Sequence, residues 1–312
     1  MLFGESLKDS FRNKNTIHAV INREDKILKK ALFFGNDLLL AYQHEALVRV
    51  VLAHNIKDTV FELREEEEKD PIISIGGTPR STFLAIAWNL KFQVYDLSRP
   101  KGMQLVVERK TADAGLFVQE INFSPDGSKL AVAIQSGVQI YTGAKWDLAA
   151  GKENLGKDTL LTVMFDHTNQ HLVVAAADGN AYRIKLEDFS VVQTYQANKA
   201  KSAFVSDKGN YVAVASEDGT AVFNMKSGEL IKKLKDGNAT TNHALINRSE
   251  KFVISSLGSS RVTIWDIESD FERVVALIEH SRGVFYSALS WDDRTHVSLG
   301  GDQAMVMMGF IE

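Results

Sequence analysis

One short pattern recurs along this chain at a nearly constant interval, and it restricts the fold more than any other feature. An apolar run is followed by a tight turn, a second run, a second turn and a third run. The clearest copy is residues 117–143, FVQEINFSPDGSKLAVAIQSGVQIYTG. Val118, Ile121 and Phe123 make the first run, Leu130, Val132 and Ile134 the second, Val138 and Ile140 the third. Pro125-Asp126-Gly127 and Ser136-Gly137 supply the turn chemistry between them. Aligning the first turn of every copy places it near Asn36, Pro79, Pro125, His167, Asp207, Arg248 and Asp292, at spacings of 43, 46, 42, 40, 41 and 44 residues. Seven units of one period account for nearly the whole chain.

A fourth run follows the third in several units: Val191 to Tyr195, Leu230 to Leu234 and Phe271 to Leu277. Lys232, Lys233 and Arg273 suit a half-exposed outer strand. In the 117–143 unit the outer strand is expected around Trp146 to Ala150, although Ala149 to Gly156 also admits a single helical turn. Otherwise helix signals are nearly absent, and an all-β chain of four-stranded units reads as a single seven-bladed β-propeller. The last unit ends at Ile311-Glu312 with its third strand, and Thr16 to Ile21 offers a spare strand before the first unit. The expectation is a propeller over residues 16–312, its ring closed by the N-terminal strand completing the last blade. Residues 1–15 are then a short appendage.

At Val262 to Ile267, VTIWDI, the chain resembles the WD-repeat (WD40) family of propellers. FSPDGSKLAVA at Phe123 to Ala133 is similar to the same family, as is the order His280, first strand, turn, second strand in the last unit. The family's buried polar set joins His, Ser or Thr, Asp and Trp. The resemblance assigns His280, Ser298 and Asp302 to three of those roles, with Met308 where the Trp would stand. No unit carries the full set, so the blades are expected to rely on apolar packing between sheets. The resemblance implies protein, peptide or occasionally nucleic-acid partners.

Composition narrows function by exclusion. The chain has no cysteine, and therefore no disulfide, thiolate metal ligand or thiol nucleophile. The net charge of −4 gives no whole-chain attraction to polyanions. No apolar run is long enough for a membrane span, and the start lacks an apolar signal core. An intracellular protein, cytoplasmic or nuclear, is the expectation. Walker, GxSxG and calcium-loop patterns are absent. The eight histidines are scattered, and no catalytic, cofactor or metal residues are assigned.

Partner-binding candidates remain. Glu65, Glu66, Glu67 and Glu68 form an acidic loop suited to a basic partner, or simply a solvated one. Trp146 and Trp291 are candidate exposed anchors, each of which could equally cover a blade edge, and Arg282 and Phe285 make a comparable pair on the last blade. Lys199, Lys201, Lys232, Lys233 and Lys235 form a basic patch, which reads as surface solubilisation or as a contact for RNA. The function expected is a non-catalytic protein-interaction scaffold in a multiprotein complex. The alternatives are an RNA-binding propeller, or a propeller enzyme or ligand-binding protein with a central-channel site.

Overall fold

The computed structural model describes residues 16–21, 28–35, 39–44, 47–53, 55–64, 71–78, 80–98, 104–111, 117–278 and 280–310. Among them there is no helix, and the strands form seven four-stranded antiparallel sheets. Six sheets are built from consecutive strands. Blade 3, for example, comprises Val118–Phe123, Lys129–Ile134, Gly137–Thr142 and Asp147–Lys152. The outer strand there lies slightly beyond its expected position, and the first half of the segment that admitted a helical turn belongs to this strand. The seventh sheet is discontinuous in sequence. Thr16–Ile21 pairs antiparallel with Met305–Phe310, Thr16 opposite Phe310 and Ile21 opposite Met305. The N-terminal strand is thus the outer strand of blade 7. Residues 1–15 and 65–70, with the expected appendage and the Glu65–Glu68 loop, lie outside the described residues.

The first strand of each blade contacts the first strands of both neighbours, and that of blade 1 contacts that of blade 7. The sheets therefore stand around a central channel lined by first strands. Such strands leave a free edge, which needs covering. Side chains from the preceding blade supply that cover. The Glu120 carboxylate accepts the Val163 N–H at 3.0 Å, Thr162 Oγ1 accepts the Ala203 N–H at 3.2 Å, and Asn242 Nδ2 donates to the Val284 carbonyl at 2.8 Å.

The core is not a central mass but seven apolar clusters, one between each adjacent pair of blades. Every second strand faces two neighbours, so it reads as a continuous apolar run rather than an alternating one. In blade 3, Leu130, Val132 and Ile134 pack toward blade 2, while Ala131 and Ala133 pack toward blade 4. Val173 and Ala175 repeat the arrangement between blades 4 and 5, and Ala213 and Ala215 between blades 5 and 6. Small side chains are needed where neighbouring sheets converge toward the axis.

Polar staples are few and differ between blades. In blade 7, His280 Nδ1 lies 2.9 Å from Asp302 and its Nε2 lies 2.8 Å from Ser298 Oγ. Met308, fully buried, stands where the indole would complete the set. In blade 6 the Trp265 indole donates to Ser255 Oγ at 3.2 Å. Blade 4 substitutes a different device. Its fully buried Asp166 bonds His171 Nδ1 at 3.0 Å and Arg183 at 2.9 Å. Burial raises the Asp166 pKa, but Thr168, Arg183 and His171 outweigh it and hold the carboxyl below its ordinary value.

Candidate functional site: the channel and its two mouths

The turn between the first and second strands is fixed by its first residue. Ser124, Asp166, Ser206, Asn247 and Ser290 are all buried there, and each accepts a hydrogen bond from the backbone N–H five residues on. Turning that side chain inward directs the next residue toward the neighbouring turn. Those next residues are Pro125, His167, Asp207, Arg248 and Trp291. In the last three blades they converge. Arg248 Nε is 4.0 Å from Asp207, and its guanidinium lies over the Trp291 ring at 3.7 Å from the centroid. Arg80, from the equivalent turn of blade 2, approaches the same ring at 5.2 Å. Two cations therefore approach the Trp291 ring, a favourable arrangement for an electron-rich indole.

Behind this cluster the channel opens into a cavity of about 220 Å³. Leu32, Met164, Phe204, Leu245 and Leu289 contribute apolar wall, with Asp207, Arg248, Trp291 and Asp293 also lining it. Asp293 accepts from the Arg248 and Ser249 N–H groups at 2.9 and 3.2 Å and from Asn247 Nδ2 at 2.9 Å. Burial nevertheless pushes its carboxyl above the ordinary value. Asp207 is raised as well, first by burial and further by the charges of Asp293 and Glu250, with Arg248 and Arg80 opposing.

The far end of the cavity is polar. Lys30 Nζ bonds Glu120 at 2.6 Å and Ser74 Oγ at 3.1 Å. The His243 and Tyr286 rings lie 4.1 Å apart, centroid to centroid. Burial, with the charge of Lys30 and proximity to His296, lowers the His243 pKa to about 3. The imidazole is therefore neutral at physiological pH. Among the described residues no group of three or more His, Asp and Glu is placed to hold a metal ion.

The opposite mouth lies among the connections from one blade to the next and the turns between second and third strands. Phe285 is 44% exposed there, beside exposed Arg282, and both flank Gly301 of the adjacent turn. Leu90 and Phe117 are exposed to a similar degree on the same face. They belong to adjoining loops of blades 2 and 3, joined where the Val118 N–H donates to the Asn89 carbonyl at 2.8 Å.

The remaining sequence candidates fall elsewhere. Trp146 is not an exposed anchor: it is 3% exposed and meets Phe83 and Phe123 edge-on at 5.7 and 5.2 Å. Its left-handed backbone, φ 50°, swings the indole back between blades 2 and 3. Four of the five patch lysines are committed. Lys199 pairs with Glu217 at 2.9 Å, Lys232 with Asp270 at 2.8 Å and Lys233 with Asp218 at 2.7 Å, while Lys201 donates to Asn242 at 2.9 Å. Lys235 lies exposed near Asp218. The Trp291 cluster was readable in part: Asp207 and Arg248 are the positions that register the repeat, but their convergence depends on ring closure.

A ring of seven four-stranded blades closed by an N-terminal strand defines a β-propeller. No protein-family model matches the chain. It is 20% identical over 257 residues to the transcriptional corepressor LEUNIG_HOMOLOG of Arabidopsis thaliana, a match covering 81% of this chain and 31% of that protein. With the seven-bladed fold, this match supports a divergent WD-repeat propeller. The chain spans about a third of the length of this curated relative. Among the described residues no helix is long and apolar enough to cross a membrane.

Proposed function

We propose that this chain is a non-catalytic protein-interaction scaffold, a subunit of an intracellular multiprotein complex. The observation that carries the reading is three apolar side chains on one face, Leu90, Phe117 and Phe285, which stand 44–45% exposed. Aromatic and arginine anchors contribute most to interface energy. A closed ring holds such loops rigidly, which limits the ordering cost of binding. The relative's description as a transcriptional corepressor supports protein partners and favours the nucleus over the cytoplasm.

The test is affinity purification with mass spectrometry after gentle lysis, comparing the natural chain with a Phe117→Asp, Phe285→Asp double variant. Partners are expected with the natural chain and depleted with the variant. Recovery of the natural chain alone would count decisively against a complex subunit.

A further inference from the structure

We propose that the opposite mouth is a second binding site, one that takes a peptide segment bearing a large apolar side chain next to a lysine or arginine. This goes beyond the scaffold reading, because it concerns a different face and states the chemistry of its ligand.

Size and lining argue for a side chain rather than a free metabolite. The cavity of about 220 Å³ is smaller than the ~300–1,000 Å³ usual for small-molecule sites. Leu32, Met164, Phe204, Leu245 and Leu289 give it an apolar wall, and Glu120, Asn122, Thr162 and His243 also line it. A single bulky apolar side chain entering past Trp291 would lose much of its hydration against that apolar wall, as interface anchors do.

The rim charges select what stands beside that side chain. Asp293 is taken up by Arg248, Ser249 and Asn247. Glu250 is likewise engaged, accepting from the Lys208 and Asn210 N–H groups and from Asn210 Nδ2 at 2.6 Å. Asp207 differs: it has no hydrogen bond among the described residues, and its cation, Arg248, stands 4.0 Å away over Trp291. A carboxylate that is partly desolvated and incompletely paired is complementary to an incoming ammonium or guanidinium. Because Asp207 stands at the rim, the cation belongs to a residue adjacent to the inserted one. Arg80 and Arg248 do not make the mouth anion-selective, since Asp207 and Asp293 lie against the same cluster.

The probe is a phage-displayed random peptide library selected on the full chain. Enriched peptides are expected to carry Leu, Met, Phe, Tyr or Trp within two positions of Lys or Arg. Asp207→Arg, a rim change, is expected to weaken them at least about ten-fold. Leu289→Trp, which fills the cavity, is expected to abolish binding, with thermal melting confirming that each variant folds. Should Leu289→Trp unfold, Trp291→Ala replaces it as a rim variant expected to lose affinity. Failure to enrich any peptide, enrichment of acidic peptides, or binding that all these variants leave unchanged would overturn the inference. None of these outcomes bears on the Phe117 and Phe285 face, whose partners are read separately by purification.

Discussion

At Trp146 the sequence leaves contact point and core residue both open, and the structure makes the indole a core residue. With φ at 50°, the side chain fills the space between Phe83 and Phe123. Trp146→Ala is therefore expected to cost about 3–5 kcal/mol, as truncation of a buried aromatic does. Chemical denaturation would check it, and a loss under 1 kcal/mol would contradict the burial. Two other residues set the acid response. His243 and His296 have folded pKa values lowered to about 3, in both cases chiefly by burial, against an ordinary 6.5. Between pH 6.5 and 3 the unfolded chain binds more protons than the folded one, so this contribution is lost as pH falls through that window. Asp207 and Asp293, raised by burial, act with the opposite sign, near the carboxylate range. The urea midpoint should fall between pH 7.5 and 5, and a His296→Leu variant should show a shallower fall.

At the scale of the strand, the second strands were the most legible elements and the outer strands the least. Their unbroken apolar runs announce burial on both faces, and the alternation of large residues with Ala213 and Ala215 announces two unequal neighbours. Ala213→Leu is expected to overpack the interface between blades 5 and 6 and cost about 1–3 kcal/mol. A thermal midpoint equal to that of the natural chain would show that this strand has slack. The outer strands carry a regularity that apolar patterning alone did not expose. Val106, Val192 and Ile231 are each the unpaired residue at a break in register with the third strand. Such bulges twist an outer edge away from further pairing. They can be recognised only once both strands are aligned in space.

At the scale of the whole molecule, stability depends on a contact between the two ends of the described chain. Removing residues 1–21 would leave Met305–Phe310 without its outer neighbour. The expected result is a loss of a few kcal/mol from the missing ladder, at roughly 0.5–1.5 kcal/mol per hydrogen bond, with increased self-association through the new edge. Size-exclusion chromatography and thermal melting would read both effects, and an unchanged, monodisperse variant would show that this strand does not hold the ring. By itself the sequence determined the period, the strands, the number of blades and the strand that completes the last one, because hydrophobic alternation and turn chemistry are local and repeat seven times. Only the tertiary structure decided which residues meet. It buried Trp146, committed Lys199, Lys232 and Lys233 to carboxylates, and brought Arg80, Asp207, Arg248 and Trp291 to one mouth. Those residues lie up to 211 positions apart in the chain, and closing the ring is what makes them neighbours.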